Sequence, residues 1–182
     1  MAVASGIASV WFSRRESLLT YPTGLTGSIL YIYLSLRVHL PGEATVNLYY
    51  TIMSIYGWYW WARRDRNHEK ILHITWSDQA MWWKQILFFL FFYLGFWVSL
   101  TWLKPYFNES IPWADSFASA TAFTGMWLMT RKKVESWYWW IATNVVSIPL
   151  YFIKGLVVTS VYYLVLLLLA FWGLNSWRKK AG

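Results

Sequence analysis

The sequence predicts an all-α polytopic membrane protein with seven spanning helices, on three observations. Hydrophobic residues make up 58% of the 182-residue chain and charged residues 13%, where a soluble domain carries about a quarter charged. The apolar residues fall in runs near the roughly 20 that a helix needs to cross a bilayer. The basic residues between the runs sort to one side. If the chain crosses at every run, Arg14, Arg15, Arg63, Arg64, Arg66, Lys70, Lys84, Arg131, Lys132, Lys133, Arg178, Lys179 and Lys180 share a side, leaving Arg37, Lys104 and Lys154 opposite. A miscounted helix would scramble that split. By the positive-inside rule it sets the C-terminus in the cytoplasm and the N-terminus outside. The net charge of +8 therefore reads as cytoplasmic loops and not as a nucleic-acid surface.

The runs, in order, are 1–13, 18–38, 44–62, 85–103, 112–130, 136–153 and 156–176. The first lacks the basic leader of a cleavable signal peptide. It is also short for a hydrocarbon core of about 30 Å, so it is a short helix or one whose beginning lies outside the sequence. Gly24 and Gly27 give the second helix a small-residue face for close packing. Pro41-Gly42, Lys104-Pro105 and Lys154-Gly155 punctuate the breaks. The only long polar stretch is 63–84, whose Ile71, Leu72, Ile74, Trp76, Trp82 and Trp83 suggest a segment lying along the membrane surface.

Internal matches divide the chain further. Glu16-Ser17-Leu18 matches Glu135-Ser136-Trp137, Tyr21 matches Trp140, and Ser28-Ile29 matches Ser147-Ile148, all at an offset of 119. Gly57 and Trp61 match Gly173 and Trp177. One helix between the halves gives both the same orientation, a parallel 3+1+3 repeat. The expected units are a first repeat over 1–62, a cytoplasmic link over 63–84, a linker helix over 85–103 and a second repeat over 112–177.

Signals for catalysis are scarce. His39, His68 and His73 lie in or beside loops, and none forms a metal-binding pair. There is no cysteine, which excludes disulfides and thiolate metal sites. No nucleotide fingerprint occurs, so no cofactor is expected. Asp115 and Glu135 stand near segment ends. The absence of mid-span carboxylates argues against ion coupling, and the absence of mid-span cations argues against a phosphate clamp.

What the spans do carry is aromatic rings with neutral polar groups. On a helix Trp137, Trp140 and Asn144 fall on one stripe that Ser147 and Tyr151 extend. Trp139 points elsewhere, towards lipid. Trp137 fits an interfacial aromatic belt and a pocket alike. Trp140 fits a pocket better, and Asn144 better still, because an unpaired amide is costly in hydrocarbon. A matching stripe in the third helix holds Asn47, Tyr50, Ser54, Trp58 and Trp61, with Trp60 and Trp61 expected in the belt. Two such stripes suit a planar, cationic ring bearing a hydroxylated group.

MSIYGWYWW, IPWADSFASATAFTGMWLMTRKKVESWYWWIATN and IPLYFIKGL with YYLVLLLLAFWG together resemble the PnuC family of bacterial vitamin transporters. The resemblance runs from about residue 8 and is most specific at Trp137, Trp140 and Asn144. It implies a 3+1+3 architecture related to the SWEET transporters and a homotrimer. It also implies facilitated diffusion of nicotinamide riboside, trapped inside by a cytoplasmic riboside kinase. Asn47 departs from the glutamine expected in many relatives. Thiamin or riboflavin is the alternative cargo within the family, and a membrane-embedded enzyme is the alternative from another class.

Overall fold

A computed structural model describes residues 2–37, 41–64, 68–104 and 111–182; His39, Arg66 and the break at Pro105 lie outside them. The chain forms α1 (Ala2–Arg14), α2 (Thr20–Arg37), α3 (Pro41–Ala62), α4 (Gln79–Leu103), α5 (Pro112–Thr130), α6 (Ser136–Ile153) and α7 (Val157–Ala181), with no strand among the described residues. By length and apolarity alone α4 and α7 qualify as membrane spans. Helices α2, α3, α5 and α6 are less apolar because they bury polar side chains, among them Ser28, Ser54, Thr121, Thr143, Asn144 and Ser147.

Packing closes six helices into a ring. α1, α2 and α3 pack in sequence, as do α5, α6 and α7, and the two sets meet at α3 against α5 and α7 against α1. α4 stands outside the ring against α5.

Two boundaries differ from expectation. α4 begins at Gln79, earlier than the 85 read from hydropathy, because the Asp78 carboxylate accepts the Met81 N–H at 2.8 Å and caps the first turn. The segment before it does not lie free on the surface. Its Thr75 donates to the Lys132 carbonyl (3.2 Å) and accepts from the Val134 N–H (3.1 Å), which docks it on the turn between α5 and α6 and buries Ile74. Trp76, Trp82 and Trp83 do remain exposed.

Matching features recur at an offset of 116, that of the Gly57–Trp61 match and three less than that of the Glu16-Ser17-Leu18 match. α1 and α5 end in the same turn. Glu16 N–H bonds the Ser13 carbonyl and Ser17 N–H the Phe12 carbonyl; Lys132 N–H bonds Met129 and Lys133 N–H bonds Leu128. This is the Schellman cap, whose left-handed position normally holds glycine. Here Glu16 (φ 59°) and Lys132 (φ 53°) occupy it, each at a backbone cost on the order of 1 kcal/mol. Their side chains pair with each other.

Around this pair the same end of the ring is sealed by aromatic residues. Trp61 donates its indole N–H to the Thr130 carbonyl (3.2 Å), and Trp177 donates to the Ser13 carbonyl (3.1 Å). The Trp177 indole thus shares the Ser13 carbonyl with the Glu16 N–H, and the Trp61 indole takes a carbonyl in the last turn of α5. Tyr21 lies against Gly57 and Trp137 against Gly173, where a Cβ would overlap the rings. Tyr21 thus corresponds to Trp137, not to Trp140. All four rings are at most 2% exposed. This corrects the belt expectation for Trp61, and Trp137, which fitted belt and pocket alike, is interior packing too. Trp60, half-buried beside Arg63 and Tyr59, keeps the belt position.

Trp139 is also corrected. Its indole N–H donates to Gln85 Oε1 of α4 at 2.9 Å and its ring packs on Phe89. Gln85 is fully buried and donates to Ser77 Oγ (2.9 Å), which donates to Glu135 Oε2 (3.0 Å). Ser77 N–H bonds Glu135 Oε1 at 2.7 Å. This chain of bonds holds α4 to the start of α6. Trp139→Phe would strand the buried Gln85 oxygen, costing about 1–3 kcal/mol. It should lower the thermal unfolding midpoint of the purified protein, whereas Tyr138→Phe, at a 40% exposed position, should leave it in place. Equal midpoints for both variants would show that the network does not hold α4.

Candidate ligand site

Inside the ring, above the aromatic seal, the structure brings together most of the residues expected from sequence. Tyr50 of α3 and Trp140 of α6 face each other with ring centroids 6.2 Å apart. The Trp140 indole lies flat on Gly125 of α5, where a Cβ would stand 3.2–3.3 Å from three indole atoms. Glycine at 125 is what lets the ring sit that close to the α5 backbone. Asn144, one turn further along α6, is 2% exposed, and its amide makes no hydrogen bond to a described residue. Ser54 (3% exposed) turns its hydroxyl towards Gly24 of α2, and Ser147 is 1% exposed on the Asn144 face. Asn144 therefore marks a position where the site supplies polar atoms to something other than itself.

Tyrosines close the far side. Tyr151 stacks on Tyr163 at 5.1 Å and 9°, and Tyr162 lies edge-on to Tyr163 at 5.5 Å. Tyr50, Tyr151, Tyr162 and Tyr163 are electrostatic neighbours, with a hydrogen bond between Tyr151 and Tyr163. Tyr49 stacks on Phe123 at 3.8 Å and donates to the Phe123 carbonyl at 3.0 Å, holding α3 to α5 beside Tyr50. Asn47 sits half-buried near the start of α3, its carbonyl accepting from Thr51 Oγ1 (2.9 Å), which also meets Ser28 Oγ at 2.9 Å.

Two expected residues stay apart from this group. Trp137 is held in the aromatic seal. Trp58 is 40% exposed on the outer face of α3, in a shallow groove with Ile55, Tyr59, Ala62 and Arg63. Ser54 and Trp61, seven residues apart, keep the buried face of α3, and Trp58 between them falls to one side of it. Sequence reasoning missed Tyr49, Phe123, Gly125, Tyr162 and Tyr163. The two tyrosines in the second turn of α7 carried a signal, since hydroxyls in an otherwise aliphatic span need partners.

The charges nearest the site are already paired. Lys154 Nζ lies 5.8 Å from the Tyr151 ring and 2.6 Å from Asp115 Oδ1. No group of three or more His, Asp or Glu able to hold a metal occurs among the described residues; His68 and His73 are exposed. The arrangement is thus one of indole and phenol faces with neutral donors and acceptors between them. It can hold a flat, electron-poor ring and hydrogen-bond a polyhydroxylated group.

Comparison with known proteins agrees with this architecture. The crystal structure of the vitamin B3 transporter PnuC superposes with a TM-score of 0.72 at 22% identity, covering 98% of this chain and 79% of that one. The nicotinamide riboside transporter PnuC of Escherichia coli is 24% identical over 201 residues, 97% of this chain and 83% of its own. The riboflavin/roseoflavin transporter RibM of Streptomyces davaonensis is 25% identical over 177 residues, 94% and 80% respectively. The family model described as nicotinamide mononucleotide transporter matches residues 1–179, and the chain belongs to that family of membrane transporters.

Proposed function

We propose that the chain carries nicotinamide riboside across the bacterial plasma membrane by facilitated diffusion. The observation that carries this reading is Asn144, buried and without a partner among the described residues, one turn from Trp140, which faces Tyr50. An indole face attracts a pyridinium by about 0.5–2 kcal/mol, more when desolvated, and Asn144, Ser54 and the tyrosine hydroxyls suit the ribose. The similarity to the riboside transporter of Escherichia coli supports the same cargo. Similarity to a riboflavin transporter at nearly equal identity makes riboflavin the competing substrate, since it too joins a planar ring to a hydroxylated chain.

The site lies between two three-helix halves in a 3+1+3 repeat, a reading supported by the matched caps at Glu16 and Lys132 and the matched indoles at Trp61 and Trp177. The C-terminus and the 63–78 link are cytoplasmic, from the segregation of basic residues. Carboxylates stand in turns, at caps or in a first turn, as Glu16, Asp78, Glu135 and Asp115 do. No described residue of the interior then binds a coupling ion, and uptake is passive, with phosphorylation inside the cell retaining the product. Exposed apolar side chains on α3 (Ile52, Ile55) and α4 (Leu87, Phe91, Val98) meet lipid or the neighbouring subunits of a homotrimer.

Trp140→Ala and Asn144→Ala should each weaken riboside binding by about tenfold or more without loss of folding, measured by calorimetry on purified protein with riboflavin and thiamin as competitors. Wild-type affinity in both variants would place the ligand elsewhere, and riboflavin binding in preference to riboside would reassign the cargo. Nicotinamide mononucleotide should compete far more weakly. Its phosphate carries about −1.5 to −2 charges, and the nearby Lys154 is already neutralised by Asp115, so the added charge would be buried without a partner. Competition at equal concentration would contradict this. A reporter fused after Lys180 should be active only in a cytoplasmic-sensing form; periplasmic activity would invert the topology.

A further inference from the structure

We infer that the Glu16–Lys132 pair, together with the Trp61 and Trp177 indole bonds, is a latch that closes the basic end of the transport path and parts each time substrate leaves there. The inference rests on the transport reading above and adds the residues that gate it.

Four observations converge on it. Glu16 ends α1 of the first half and Lys132 ends α5 of the second, so their bond joins the halves and not neighbours within one. Lys180 of α7 lies 3.3 Å from Glu16 Oε2 and Lys70 of the link 3.6 Å from Oε1, so one carboxylate gathers cations from three separate elements. The Lys132 ammonium also donates to the Leu72 carbonyl (2.9 Å) and lies 4.9 Å from the Trp61 ring, which locks it over the aromatic seal. Finally, both residues keep a left-handed backbone that glycine would adopt freely. A helix cap alone does not explain that choice, because glycine caps as well or better. Strained residues are retained where the side chain has a task.

The opposite end is built differently. Its ion pair, Lys154 with Asp115, joins α6 to α5 within the same half. Separation of the halves there breaks no described ion pair, whereas separation at the basic end must break Glu16–Lys132 and both indole–carbonyl bonds. The path from that end runs past the seal to Ser54, two turns before Trp61 on α3.

The native chain has no cysteine, so Ser54→Cys gives a single labelling site in an otherwise silent background. In inside-out membrane vesicles a membrane-impermeant maleimide should label it slowly. Glu16→Gln and Lys132→Gln should each speed labelling roughly tenfold, within the range usual for coupling between packed elements. Glu16→Gly is the decisive variant, because it relieves the backbone while removing the carboxylate. It should label as fast as Glu16→Gln, and parental labelling would show that the turn, not the pair, closes the path. Unchanged labelling in both Gln variants overturns the latch. Riboside binding measured on the same variants with Ser54 retained separates the two readings. Binding retained with labelling unchanged defeats the latch alone, whereas failure of Trp140→Ala to affect binding defeats the site on which it rests.

Discussion

Two indole N–H groups hold this structure closed. The last turn of any helix leaves carbonyls without partners, and in a membrane protein those groups have little water to turn to. Here Trp177 adds a bond to the capped end of α1 and Trp61 one to the capped end of α5, so each end is tied to a helix distant in sequence. The ring of six helices follows from that exchange. So does the position of the ligand site, because Tyr50 lies three turns before Trp61 on α3 and Trp140 one turn beyond Trp137 on α6. Fixing the tryptophans fixes how far apart the site's walls stand.

The charge pair beside them behaves as an extension of the same joint. Burial alone would raise the Glu16 carboxyl, but the hydrogen bond and charge of Lys132, with Lys70 and Lys180, outweigh it and hold it below its ordinary value of 4.5. Burial draws the Lys132 ammonium down, against the pull of Glu16. The geometry favours the charged form, since Nζ donates to both the Glu16 carboxylate and the Leu72 carbonyl. A lowered carboxyl contributes stability above its unfolded value and surrenders it only as acid carries the pH through the folded one. The Glu16 side of the joint is therefore charged at neutral pH.

Much of this was legible before any coordinates. Length, apolar runs and basic segregation gave seven helices, and the spacing of Trp140 and Asn144 placed both on an inward face. The tryptophans were harder to sort. A Trp near a basic cluster looks the same whether it snorkels at the interface or packs against a glycine, and only the partner tells them apart. Trp61 and Trp137 meet Thr130 and Gly173, contacts far apart in sequence that periodicity does not encode. The Glu-Ser repeat misled by three residues because it is a local likeness. Glu135 sits at the start of α6 and binds Ser77, whereas the position equivalent to Glu16 is Lys132. The start of α4 was readable in Asp78, an N-cap that hydropathy passes over.

The bonds running from Glu135 through Ser77 and Gln85 to Trp139 give α4 an allegiance. It packs on α5 and is tied to α6 through the buried Gln85, while Leu87, Phe91 and Val98 face outward. Any rocking of the two halves is then a motion of unequal bodies, three helices against four. The four helices α4 to α7 form the larger group, and α4 contributes much of its exposed apolar surface.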